Sequence, residues 1–391
     1  MTDRDLYAGE RLPHYVNRAP FDPSTVDALT PQQERYYQAS EWRIMWWRFR
    51  RHRVAVWSGA FLIAAYLAII ICEFLSPYNL HSRDTSHIYA PPQVLHFFHE
   101  GEFVGPFVYG YDFKLNMETL QREYSVSTTK VQPLRFFCRG DSYDFWGLFE
   151  GDLHLVCPAE NGTAFFFGTD RLGRDMLSRV IYGSRISLTI AMISVAISFV
   201  LGVLFGGLAG YYGGFLDALI LRAIEIIRSF PEIPLFMTLS ALLPVTWSPI
   251  GVFVGISVII GCLDWPGLAR AVRAKILSLR EEDFTTAAQL MGASPARIIG
   301  RHLMPSFTSH LIASLTLSVP TAILGETALS FLGIGLRAPI TSWGVVLNEA
   351  TNINVVVLYP WLMLPVVPLF LVVLAFNFLG DGLRDAADPY R

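Results

Sequence analysis

The apolar positions of this chain fall into long unbroken runs instead of the alternating or one-faced patterns of a soluble core. Val54–Leu75 (VAVWSGAFLIAAYLAIIICEFL) carries a single charge, Glu73, near its far end. At 1.5 Å per residue it reaches about 33 Å, enough for the hydrocarbon core of a bilayer. Its distance from the N-terminus, its length and the lack of a small-residue cleavage pattern set it apart from a signal peptide. Further runs at Ile186–Ala209, Leu219–Leu243, Ile250–Val272, Ser309–Ile334 and Tyr359–Leu379 complete a pattern that predicts six transmembrane helices. The third run is broken by Arg222, Glu225, Arg228 and Glu232, with Pro231 and Pro234 to kink it. Arg222, Glu225 and Arg228 recur every three residues, so they share one stripe and can pair. Ionisable groups at membrane depth face a bundle interior or a watery cavity. The stripe therefore reads as a pathway or gate lining, or as a structural ion pair near one end. Gly202, Gly206, Gly207 and Gly210 predict a close helix–helix approach.

Arginine placement orients the spans. Arg43, Arg48, Arg50, Arg51 and Arg53 crowd the N-terminal flank of the first run, while the thirty-odd residues beyond it hold only Arg83. The positive-inside rule then puts both termini in the cytoplasm, together with the loop between the fourth and fifth spans. That loop carries Arg270, Arg273, Lys275, Arg280, Arg297 and Arg301, so the two inferences agree.

Outside the spans, residues 1–40 lack an apolar period and read as a cytoplasmic tail; 41–75 are the basic flank and first helix. Residues 76–167 form a long external insert rich in aromatics, including Phe97, Phe98, Phe136, Phe137 and Trp146, too apolar for disorder. Its runs PLRFFCRG and GDLHLVC predict strands around turns. Cys138 and Cys157 lie in the insert and are a possible disulfide, a fitting staple for a small external subdomain; Cys72 and Cys262 lie in spans and read as small buried hydrophobes. His81, His87, His96 and His99 read as solvated loop residues and not as metal ligands, and Asn161-Gly162-Thr163 as a chance glycosylation triplet.

Composition narrows the function. With 52% hydrophobic and 16% charged residues and a formal charge of −3, the chain offers nucleic acid no electrostatic purchase. Only Lys114, Lys130 and Lys275 are lysines, and no GxxxxGK[ST], HExxH, CxxC or GxSxG is present, so nothing predicts a catalytic site or a bound metal or cofactor in this chain. Asp264 and Glu326 are further ionisable residues in spans, and with no inverted repeat to pair them they read as structural or gate-lining at most. In the loop at 281–305, EEDFTTAAQLMGASPARIIGRHLMP, Phe284–Leu290 and Pro295–Arg301 predict two short helices about a turn at Gly292. Ala287, Ala288 and Gly292 would let a partner close around the backbone, with Phe284 as an anchor.

This loop resembles the Glu-Ala-Ala signature of ABC importer permeases, matched by Thr286-Ala287-Ala288, Gly292 and His302-Leu303-Met304-Pro305, with Thr286 where the family has the acid. Gly168–Leu188 (GTDRLGRDMLSRVIYGSRISL), SFP at Ser229–Pro231, GETALSFLGIGL at Gly325–Leu336, TSWG at Thr341–Gly344 and the ending Asn377–Pro389 are similar to the second, C-type permease of the dipeptide, oligopeptide and nickel branch. The resemblance covers most of 168–391; the enlarged insert is somewhat similar to the Yej-type subgroup. It implies an all-α polytopic permease in a bacterial inner membrane, with a coupling hairpin and a small mixed or β-containing periplasmic insert. It further implies a heterodimer with a second permease subunit, two ATPase subunits or domains that bind ATP and magnesium, and a periplasmic substrate-binding protein that delivers peptides or related solutes. Phe284, Thr286, Ala287, Ala288, Gly292 and Pro305 would then be coupling residues, and Arg222, Glu225, Arg228, Asp264 and Glu326 pathway or gate candidates. The competing reading, a secondary transporter driven by an ion gradient, would want repeat-related broken helices with paired carboxylates.

Overall fold

The computed structural model describes residues 38–118, 121–160, 162–244 and 246–387. Most of the tail expected at 1–40, Asn161 of the glycosylation triplet and Pro389 of the C-terminal motif lie outside them. Contacts divide the chain at Trp47/Arg48 into a small N-terminal unit and a large one. Helix α1 (Glu41–Arg51) begins in the first, where the Arg43 guanidinium stacks 5.7 Å from the Trp47 ring.

In the large unit α2 (Arg53–Ile70) is followed by the one-turn α3 (Cys72–Leu75). Five strands come next: β1 (Leu95–His99), β2 (Glu102–Leu115), β3 (Arg122–Pro133), β4 (Arg135–Phe145) and β5 (Phe149–Cys157). Then come α4 (Met176–Tyr212), α5 (Gly214–Ser229), α6 (Glu232–Ala241) and α7 (Pro249–Leu279). The chain continues through α8 (Asp283–Leu290), α9 (Pro295–Arg297), a π-helical turn at Ile298–Leu303, α10 (Met304–Ser306) and α11 (Thr308–Phe331). Short helices α12 (Trp343–Leu347) and α13 (Ile353–Leu358) precede the last long helix, α14 (Val366–Ala387).

Among the described residues, five helical segments are long and apolar enough to cross a membrane: Arg53–Ile70, Met176–Tyr212, Pro249–Leu279, Thr308–Phe331 and Pro360–Ala387. The expected third span differs. At Phe230 the backbone is extended and Pro231 starts a new helix, so Leu219–Leu243 is divided between α5 and the ten-residue α6. The physical reason is the Ser229-Phe230-Pro231 step, since proline disfavours helix in the residue before it and supplies no amide to the preceding turn.

Helices α4 and α7 form the most intimate pair. A methyl built on Gly206 would lie 2.4 Å from the Ala269 carbonyl oxygen, and one on Gly261 2.7 Å from the Ser194 carbonyl. Gly207 is different: a methyl there would make only ordinary contacts, 3.8 Å from Ile299 and 3.9 Å from Ile276. The main core gathers Leu188, Ile190 and Val195 of α4, Ile256 and Ile260 of α7, Val319 and Ile323 of α11 and Phe376 of α14. Cys72 is buried, but Cys262 is exposed on α7, contrary to its expected burial.

The insert is two antiparallel sheets, β1-β2-β3 and the hairpin β4-β5. Both strands read from PLRFFCRG and GDLHLVC are present, and Cys138 and Cys157 are joined in a disulfide with Cα atoms 6.2 Å apart. The ring nitrogens of buried His154 lie 2.6 Å from the Ser76 carbonyl oxygen and 2.8 Å from that of Asp141, which ties the hairpin to the end of α3. A bridge across a loop of this size restrains the unfolded insert by about 3 kcal/mol. Replacing both Cys138 and Cys157 by serine is therefore expected to speed proteolytic nicking of the insert several-fold. Unchanged nicking kinetics would show that the surrounding contacts suffice.

Candidate functional site

Four regions carry the chemistry. The first is where the insert meets α4. Gly168 and Gly173 take positive φ, turning the chain so that Asp170 is fully enclosed. Its carboxylate accepts from the amides of Leu172 and Arg174, from Arg174 Nε at 2.6 Å and from Arg179 Nη1 at 2.7 Å. The same two arginines reach Glu349 Oε1, at 3.2 and 2.8 Å. Two acids and two arginines thus lock the start of α4 to the segment after α12. The Trp361 indole donates to the Thr169 carbonyl beside them. Asp175 caps α4 by accepting from the Ser178 amide, and burial pushes its carboxyl up to about 7 against the pull of those Ser178 bonds. None of these residues was a candidate from sequence.

The second region is Glu326. It is completely buried in α11, where Ser187 of α4 and Ser330 donate to its two oxygens at 2.9 and 2.8 Å. Ser187 in turn accepts from the Trp343 amide, and the Trp343 indole donates to the Val180 carbonyl. Of the structural and gate-lining roles expected of Glu326, this enclosure favours the structural one, since the carboxylate has no exposed surface and the Ser187 and Trp343 segments close over it.

The third region is the stripe on α5. Arg222 and Glu225 pair at 2.7 Å and both stay exposed. Half-buried Asp264 of α7 lies within electrostatic reach of Arg228 and Glu232. The structure therefore groups Arg228 with Asp264, leaves Arg222 and Glu225 as a separate pair, and sets Glu326 apart from both. At the far end of α5, Asp217 accepts two bonds from Arg273 of α7, which holds the broken helix against the α4–α7 pair.

The fourth region is the hairpin at 281–305. Gly292 sits at φ +77° with open space around it, as its turn requires. Phe284, Thr286, Ala287 and Pro305 are exposed. Ala288 is a correction: it is buried among Val272, Ile276, Ile298, Leu303 and Phe307, so it packs the hairpin onto α7 and the π-helical turn and is not offered to a partner. Thr285, also buried, donates to the Leu279 carbonyl at 2.9 Å. The apolar tip missing from the sequence expectation is Leu290-Met291, 84% and 81% exposed. The signal was two adjacent large apolar residues immediately before the turn at Gly292.

Residues 202–390 match the family described as binding-protein-dependent transport system inner membrane component. Residues 40–92 match the N-terminal transmembrane domain of oligopeptide transport permease C. The chain is 40% identical over 229 residues to the dipeptide transport system permease protein DppC of Bacillus subtilis, covering 57% of this chain and 68% of that protein. It is 42% identical over 226 residues to the oligopeptide transport system permease protein OppC of Haemophilus influenzae, covering 57% and 70%. Among solved structures, the inward-facing MetNI methionine ABC transporter is similar at 21% identity and a TM-score of 0.42, over 53% of this chain and 97% of that one.

Proposed function

From the premise that the chain belongs to the binding-protein-dependent transport inner-membrane component family, as a C-type peptide permease subunit of an ABC importer, we propose that it forms one half of a heterodimeric pathway for peptides. The observation that carries this reading is the α5 stripe. Arg222, Glu225 and Arg228 stay exposed beside an apolar bundle, and lipid is a poor neighbour for three charges. A second permease subunit and a watery pathway are good ones. In this reading α5 and α6 together make a sixth crossing, bent at Phe230-Pro231, and both termini face the cytoplasm. The 76–167 insert then lies in the periplasm, where a substrate-binding protein docks.

ATP and magnesium belong to two partner ATPase subunits or domains, and the hairpin at 281–305 is where they couple. Phe284, Ala287, Leu290, Met291 and Gly292 make that contact, with Thr286 and Pro305 at its rim. Closure of the ATPases would move the hairpin and, through Arg273–Asp217 and the α4–α7 pair, rock the bundle as a rigid body. Uptake of a labelled oligopeptide by cells expressing the whole system is expected to vanish when the Walker lysine of the partner ATPase is mutated. Uptake that survives this change and instead collapses with the proton gradient would refute the reading.

A further inference from the structure

We propose that the tip of the β4–β5 hairpin is a membrane-dipping element that seats its aromatic side chains in the outer leaflet beside α2. This rests on the topology above, in which Ile70 is the outer end of the first crossing. The tip is tightly formed. The Leu148 amide donates to the Phe145 carbonyl at 2.9 Å, with Trp146 and Gly147 both at positive φ. It is also fixed in height. The Trp146 indole donates to the Ile70 carbonyl at 2.9 Å, at the last turn of α2. The Arg185 guanidinium stacks 4.1 Å from the Trp146 ring while gripping both oxygens of buried Glu73. The hairpin therefore reaches down to the level at which the span ends.

What it presents there is apolar. Phe145 and Phe149, which flank the turn, stack at 5.1 Å. Leu148 and Phe149 at the turn remain 79% and 59% exposed among the described residues. The occupant is lipid because this patch continues a surface that already faces it: Ile63, Leu67, Ile70 and Ile71, the exposed face of the first crossing. A tryptophan whose N–H is satisfied by a helix-end carbonyl is suited to the membrane interface, where such rings concentrate. Immersion is shallow. Asp144 and Glu150 face each other directly behind the tip, both exposed, and must stay among headgroups and water. At about 3.3 Å per residue only the turn itself can enter the acyl boundary.

The test uses the assembled complex in phosphatidylethanolamine–phosphatidylglycerol vesicles, with exposed Cys262 replaced by alanine and one environment-sensitive fluorophore on Leu148→Cys. A second sample carries the fluorophore on Met117→Cys, at the exposed turn after β2. The expected result is that the Leu148 label is quenched by lipid bearing a nitroxide high on its acyl chain. It should also be markedly better shielded from aqueous iodide than the Met117 label, because interfacial apolar groups sit at the headgroup/acyl boundary. Equal iodide quenching at both positions would overturn the proposal. So would shielding of Leu148 that appears only when the soluble binding protein is added, since the tip would then be a protein dock. Failure of the topology is read separately: in spheroplasts an impermeant maleimide must reach Met117→Cys, and a label reached only after lysis would overturn the orientation and the proposal with it.

Discussion

Replacing Arg179 with alanine is expected to be the most damaging single change in the chain, with the folded complex largely lost from the membrane. Arg179 is 3% exposed and bonds both Asp170 and Glu349 through Nη1. Its removal leaves a fully enclosed carboxylate and a nearly enclosed one to share Arg174 alone. Breaking a buried pair by deleting one partner costs about 3–5 kcal/mol because the remaining charge stays desolvated. Against a total stability of roughly 5–15 kcal/mol, that is a large share. Arg179→Lys retains the charge but not the planar donor set, so a smaller loss is expected. Coupling makes the case stronger: Arg179→Met combined with Glu349→Gln should cost less than the sum of the two single changes, because each single change strands the other's charge. The measurements are membrane abundance of the complex and its thermal denaturation midpoint in detergent. An Arg179→Ala variant with wild-type abundance and midpoint would mean that the cluster does not hold α4 to the 341–363 segment.

This cluster shows where the sequence stops being informative. Asp170 and Glu349 are brought together from positions so far apart that no local period links them. Arg174 and Arg179 read on their own as charges flanking a span. The spans themselves were legible because lipid demands long apolar runs regardless of tertiary context. The insert's last two strands were legible as short apolar runs set around turns, and the break at Phe230-Pro231 was foreshadowed by the prolines. At two candidate positions the sequence left the role undecided for one reason, that a small or acidic residue in a helix does not announce which neighbours cover it. Ala288 fits a partner-facing role by size alone, yet Ile298 and Leu303 of the π-helical turn bury it. Glu326 fits a gate by charge alone, yet Ser187 and Ser330 enclose it.

The second large effect is expected at the hairpin tip, where Leu290→Asp combined with Met291→Asp should uncouple transport without reducing the amount of permease in the membrane. Both side chains are almost entirely exposed, so the folded chain loses no packing when they change. Surface substitutions of this kind ordinarily shift stability by only about 0.5 kcal/mol. A partner that buries them loses an apolar anchor and gains two charges. A loss of about 2–4 kcal/mol at such a hot spot corresponds to a roughly 30- to 1000-fold weaker contact. Copurification of the ATPase subunits and substrate-stimulated ATP turnover should therefore fall together, while membrane abundance holds. Ala288→Arg gives the opposite pattern: it forces a long charged side chain between Ile276 and Leu303, so abundance itself should drop. The contrast separates a residue that meets the partner from one that only shapes the surface presented to it. If the Leu290 and Met291 double variant retained full ATPase copurification and wild-type turnover, the coupling contact would have to lie elsewhere on the hairpin. The exposed Phe284 and Ala287 face would then be the next to carry charge substitutions.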